Sequence, residues 1–202
     1  MPILYVIAGP NGAGKTTWYA TAIEQKFIDS SLSFINVDLI TLHELGGYSE
    51  ENFAKADAVA RERIGNFIHR GENFMIESNL SKASDYEWLQ AVIKKGYEIV
   101  VYFLGTEDLD ININRVKKRV KEGGHDVPES IIEHRYRMGL SYLKSKILIF
   151  KEAYVIDNSQ ETFKVMAVLK SGRIVQKEED CSSWIEDVLY IAKRIQDKKT
   201  MN

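Results

Sequence analysis

The sequence predicts an α/β protein in which helices cover both faces of a mostly parallel β-sheet. Three observations predict it. Short, β-rich apolar runs alternate with helical patterns along most of the chain, the signature of strand–helix–strand crossovers. The first such run, Ile3–Ala8, passes directly into Gly9-Pro10-Asn11-Gly12-Ala13-Gly14-Lys15-Thr16. That segment fits G-x-x-x-x-G-K-[ST], which belongs between a strand and a helix. Finally, 202 residues with 45% apolar and 28% charged content suit a single globular domain spanning 1–202.

The loop fixes the first chemistry. Gly9, Gly12 and Gly14 can take backbone angles that a Cβ forbids, so the chain can curl with its N–H groups pointing inward around phosphate. The helix predicted from Thr16 to about Phe27 presents its positive end to the same anion. Lys15 can reach the β- and γ-phosphates, and the Thr16 hydroxyl can hold Mg²⁺. The whole segment Gly9–Thr17, with Pro10, Asn11, Ala13 and Thr17, is the candidate nucleotide-binding loop.

The second β-rich run, Leu32–Val37, ends at Asp38. In parallel sheets ligands bind beyond the carboxyl ends of strands. A carboxylate there can accept a proton from an attacking hydroxyl, hold Mg²⁺ through water, or cap the next helix. Ser49–Arg70 reads as a helix, with Phe53, Ala56, Ala60, Ile64, Phe67 and Ile68 at helical spacing. The third run, Asn73–Ile76, leads to Glu77, Ser78 and Asn79. These three polar groups suit substrate hydroxyls; Glu77 also suits Mg²⁺, and all three suit a helix cap. A helix over Ser84–Lys95 and a strand over Glu98–Leu104 follow.

Two helices come next, Leu109–Lys121 and one with Pro128 in its first turn that runs to about Lys146. Between them lies Gly123-Gly124-His125-Asp126-Val127-Pro128, flanked by Arg115, Lys117, Lys118, Arg119, Lys121, Arg135 and Arg137. Arg115 and Arg119 share a helix face. Such a hinged, arginine-bearing segment, about 115–140, can close over a nucleotide as a helical lid. The bland alternative is a solvated basic face. His125 can contact phosphate or cap the turn. A strand over Ala153–Ile156 ends at Asp157-Asn158-Ser159, read as a turn, with a place near a nucleotide base as the alternative. Phe163–Leu169 and Arg173–Gln176 read as a hairpin, Ser182–Gln196 as a closing helix, and Asp197–Asn202 as a loose tail.

Bulk properties exclude several classes. A net charge of −2 supplies no basic field for a nucleic-acid duplex. A lone cysteine, Cys181, allows no internal disulfide and suits a reducing compartment. His43, His69 and His134 show no metal-ligand spacing. The N-terminus opens directly on a strand, leaving no room for a signal peptide, and no apolar run approaches membrane-span length. The expected location is the cytoplasm.

Taken in order, these residues resemble the zeta-toxin family of phosphoryl-transfer enzymes. The resemblance is carried by the Gly9–Thr17 loop, Asp38 and Glu77, and by Arg115-Val116-x-x-Arg119-Val120-x-x-Gly123-Gly124-His125-x-Val127-Pro128. Ile132-x-x-Arg135-Tyr136 and Asp157-Asn158-Ser159 continue it, so that it spans about residues 3–160. It implies a three-layer P-loop kinase fold, with ATP as donor and a hydroxyl on a small substrate as acceptor. Characterised members phosphorylate the amino-sugar part of UDP-N-acetylglucosamine and so poison cell-wall synthesis. By this likeness Asp38 is the base, Lys15 the phosphate clamp, Glu77 a substrate contact, and Arg119 and Arg135 are lid arginines. An antitoxin protein is an implied partner. One position departs from the pattern: relatives often carry Arg three residues after Arg135, where this chain has Met138, with Arg137 one place earlier.

The expected activity is therefore transfer of the γ-phosphate of ATP, with Mg²⁺, to a hydroxyl. Two rivals stand beside it. One is a polynucleotide 5′-hydroxyl or nucleoside kinase. The other is an ATP-binding partner module of a toxin–antitoxin pair with little catalysis of its own.

Overall fold

In the computed structural model, which describes residues 1–200, a seven-stranded sheet runs through the molecule. Its strands are β1 (Ile3–Ala8), β2 (Phe34–Ile35), β3 (Phe74–Ser78), β4 (Glu98–Gly105), β5 (Glu152–Asp157), β6 (Lys164–Lys170) and β7 (Arg173–Lys177), in the order β2-β3-β1-β4-β5-β6-β7. The first five are parallel, and β6 and β7 add an antiparallel hairpin at one edge. The helices are α1 (Lys15–Glu24), α2 (Val37–Leu39), α3 (Glu50–Arg70), α4 (Ala83–Lys94), α5 (Leu109–Lys121), α6 (Glu129–Lys146) and α7 (Ser183–Thr200).

Alternation along the strands builds two cores, because successive side chains point to opposite faces. Leu4, Val6, Val101 and Phe103 enter a core with Ala56 and Ala60 of α3, Leu89 of α4, Leu143 of α6 and Leu189 of α7. Ile7, Tyr102 and Leu104 face the other way, against Trp18 and Ala22 of α1. The faces are covered unequally. On the α1 side, rings fill in for helices: Tyr102 lies 4.9 Å from Trp18 and 5.0 Å from Tyr154, centroid to centroid. Helices α5 and α6 and the segment between them share a small core of their own, Val116, Val127 and Ile132.

Local signals set most boundaries. The Ser49 hydroxyl accepts from the Asn52 N–H at 3.1 Å to start α3, and Gly71, at φ 65°, ends it. Asp108 caps α5 through the Asp110 N–H. Pro128 stands just before α6 rather than inside its first turn.

Two further expectations change. The second strand is only Phe34–Ile35. Asn36 turns the chain at once, its side chain accepting from the Leu39 N–H at 3.1 Å, so Asp38 lies in the first turn of a helical segment, continued by a π-helical stretch over Ile40–Glu44, and not at a strand end. The cap that Asp38 could have supplied is made by Asn36. At the other terminus α7 continues through Asp197 to Thr200, where a loose tail was expected; residues 201 and 202 lie outside the described part. The helix is anchored by Trp184, whose ring lies so close to Gly105 that an added Cβ would be 2.6 Å from it.

Candidate active site

The site lies beyond the carboxyl ends of β1, β3 and β5, in a cleft of about 930 Å³. Its floor is the phosphate loop. Gly9, Gly12 and Gly14 all have positive φ (136°, 77° and 87°), and Gly14 is the cap residue of α1. No side chain caps that helix, which leaves its first N–H groups free for an anion. Space is as decisive as φ at Gly9 and Gly12. A Cβ there would stand 2.1 Å from the Leu104 carbonyl oxygen or 2.4 Å from that of Asn112.

Lys15 is buried, and its Nζ donates to the carbonyls of Gly9 (2.9 Å) and Pro10 (3.2 Å) and to Asn79 Oδ1 (3.2 Å). Burial lowers its pKa from the usual lysine value; the Glu77 and then the Asp38 carboxylate oppose that shift. Glu77 Oε1 lies 3.6 Å from Nζ. The other carboxylate oxygen of Glu77 accepts from Thr16 Oγ1 at 3.0 Å and from Asn36 Nδ2 at 2.7 Å. The sequence-based site residues Thr16, Glu77, Lys15 and Asn79 are thus linked in a chain of contacts. Ser78 lines the same cleft, but its hydroxyl also accepts from the Leu80 N–H and supports the turn there.

Asp38 lines the cleft on the α2 side, and its charge reaches Lys15, Tyr48 and Arg135. Arg135 is half-buried; burial lowers its pKa, opposed by Asp38 and Asp85. Its Nη1 donates to Asn11 Oδ1 at 2.8 Å. Arg119 donates from Nη2 to the His125 carbonyl at 2.8 Å, while its buried Nε has no partner among the described residues. A buried donor of that kind calls for an acceptor. His125 packs its ring on Phe53 (4.6 Å) and Tyr48 (5.5 Å), joining the α5–α6 connection to the α3 side of the cleft.

The basic stripe divides. Arg115, Arg119 and Arg135 face the cleft, whereas Lys117 pairs with Glu129 at the surface and Lys118 and Lys121 are exposed. Arg137 is 71% exposed and pairs with Glu133 one turn back. It does not enter the cleft, as the 100° turn between neighbouring helix positions requires.

Two asparagines hold more than the sequence patterns assigned them: Asn36 was not singled out, and Asn158 was named only within Asp157-Asn158-Ser159. Asn158, read within a turn, is buried at the mouth of β5, and its Nδ2 donates to the Ala13 carbonyl of the phosphate loop at 2.8 Å. Arg115 Nη1 donates to the Asn158 carbonyl at 2.8 Å. Asn36 links Glu77 to the turn bearing Asp38. The available signal was position: both follow directly after parallel strands on the loop side of the sheet.

A family model described as Zeta toxin matches residues 1–166. The chain belongs to the zeta-toxin family. A Haemophilus influenzae protein described as uncharacterized is 32% identical over 132 residues, covering 63% of this chain and 88% of its own. A complex of AvrRxo1-ORF1 with AvrRxo1-ORF2, solved with ATP, superposes at a TM-score of 0.63 and 15% identity, over 88% of this chain. The match spans 61% of that chain, less than two thirds of its length. A structure from the PezAT chromosomal toxin–antitoxin system of Streptococcus pneumoniae gives a TM-score of 0.60 at 18% identity, over 98% of this chain and 87% of that one. The fold is that of the P-loop kinases. No described helix is long and apolar enough to cross a membrane.

Proposed function

We propose that this zeta-toxin family member is an ATP-dependent kinase that moves the γ-phosphoryl group to a hydroxyl of a small substrate. The observation that supports it most is convergence: Asp38, Lys15, Arg119 and Arg135 line one cleft together with the phosphate loop, whose helix α1 carries no side-chain cap. In that arrangement the loop N–H groups and Lys15 hold the phosphates. Asp38 takes the proton from the acceptor hydroxyl as its oxygen attacks the γ-phosphorus and the bond to the β-phosphate breaks. Arg119, with its spare Nε–H, and Arg135 take up the charge of the moving group.

Thr16 and Glu77 fit Mg²⁺: a hydroxyl and a carboxylate 3.0 Å apart beside the phosphate loop are hard oxygen donors of the kind that ion takes together with phosphates. Thr16 would hold it, with Glu77 alongside, and the ion would neutralise phosphate charge. The contact of Glu77 with both Thr16 and Lys15 favours this second role for Glu77 beside the acceptor contact that the family likeness implies.

The acceptor in this reading is a UDP-N-acetyl-amino sugar, on the family likeness alone. A partner protein, as in the two-component neighbours, belongs to the same reading. Incubation with γ-labelled ATP and a metabolite extract, with purified UDP-N-acetylglucosamine in parallel, tests it. A labelled sugar nucleotide supports the acceptor, and label on oligonucleotides selects the polynucleotide kinase. Tight ATP binding with no labelled product selects the non-catalytic partner module.

A further inference from the structure

One residue of the phosphate loop is held from both lid helices. From α5, Asn112 Nδ2 donates to the Asn11 carbonyl at 2.7 Å. Asn112 is fully buried and its own carboxamide oxygen accepts from Thr106 Oγ1, so its direction is fixed. The next loop residue, Gly12, sits against the backbone of Asn112 at a distance no side chain tolerates. From α6, Arg135 reaches across to Asn11 Oδ1 at 2.8 Å. The backbone of Asn11 is therefore pinned by one lid helix while its side chain holds the arginine of the other.

From this juxtaposition we infer that Asn11 is a positioning residue: it holds the Arg135 guanidinium above the phosphate loop and yields it to the transferred phosphoryl group. The inference rests on the kinase reading above. A neutral carboxamide suits the task. Its oxygen accepts a charge-assisted hydrogen bond that orients the guanidinium, and a phosphate oxygen with full negative charge displaces it. The competing partners are Asp38 and Asp85, whose charges already reach Arg135. Without Asn11 the arginine is drawn toward Asp38, which removes it from the phosphoryl group and masks the candidate base together.

The test compares wild type, Asn11→Ala, Arg135→Ala and the double variant in steady-state transfer to whichever acceptor the labelled extract identifies. A misplaced catalytic group costs up to about 100-fold. Asn11→Ala is expected to lower kcat about 10- to 100-fold, with KM for ATP within about 3-fold, because the loop N–H groups are untouched. Adding Asn11→Ala to Arg135→Ala is expected to cost less than about 3-fold more, since the two act as one unit. Unchanged kcat in Asn11→Ala, or losses that multiply in the double variant, overturn the inference. A second readout needs no turnover: the ¹⁵N guanidinium signal of Arg135 in the nucleotide-free protein, identified by its loss in Arg135→Lys, should shift in Asn11→Ala and Asn11→Ser. A signal that stays in place overturns the inference. If wild type transfers no phosphate, the kinase reading falls, and this signal still decides whether Asn11 holds Arg135.

Discussion

Asn158 Nδ2 lies 2.8 Å from the carbonyl oxygen of Ala13, so the loop after β5 braces the phosphate loop after β1 across the intervening strand β4. Gly14 makes room for it: an added Cβ would stand 2.5 Å from the same nitrogen. Asn158→Ala removes the brace and leaves a buried carbonyl without its partner, at a cost of about 1–2 kcal/mol. ATP affinity is expected to fall about 5- to 30-fold, read by calorimetric titration. Unaltered affinity would show that the loop keeps its shape unaided.

Asp38→Asn should separate chemistry from binding. Loss of a general base costs about 10²- to 10⁴-fold in kcat. ATP affinity should stay within a few-fold, since Asp38 belongs to the α2 side of the cleft and not to the phosphate loop. Lys15→Ala, by contrast, should lose both. Wild-type turnover in Asp38→Asn would remove Asp38 from the role of base.

The depressed pKa of Lys15 has a signed consequence. Burial holds the free ammonium below the ordinary lysine range. Bound phosphate favours the charged form and raises that pKa. Between the two values the free protein has lost the proton and the complex keeps it, so ATP binding takes up protons and weakens as pH rises through that window. Calorimetry in two buffers of different ionisation heat measures this uptake; proton release would contradict it.

Arg119→Ala and Arg137→Ala should behave oppositely although both sit on the helices that flank Gly123–Pro128. Arg119, with its unpartnered buried Nε, should lose about 10²-fold or more in kcat. Arg137, paired with Glu133 at the surface, should leave kcat unchanged and shift stability by less than about 1 kcal/mol. A kinetic defect in Arg137→Ala would mean that the lid rearranges enough to swing that face into the cleft.

Gly105→Ala tests the anchoring of α7. A methyl group 2.6 Å from the Trp184 ring forces the ring or the strand to move, costing about 1–3 kcal/mol, read in denaturant unfolding.

Alternation and loop chemistry made the layered sheet and the glycine-rich loop after β1 legible in the sequence, because each depends on residues close together in the chain. Gly9-x-x-x-x-Gly14-Lys15-Thr16 marked the loop as the candidate phosphate site, and the family likeness named Asp38, Glu77, Arg119 and Arg135. What those side chains touch was decided only by the tertiary structure. The short β2 put Asp38 on a turn capped by Asn36. The order β3-β1 brought Glu77 to Thr16, 61 residues away, and β5 carried Asn158 to Ala13, 145 residues away. No local pattern encodes such pairs, since side-chain amides and carboxylates find partners wherever the packed sheet places them. The physical reason is that strand order is fixed by burial of whole apolar faces, and polar contacts at the strand ends follow from it.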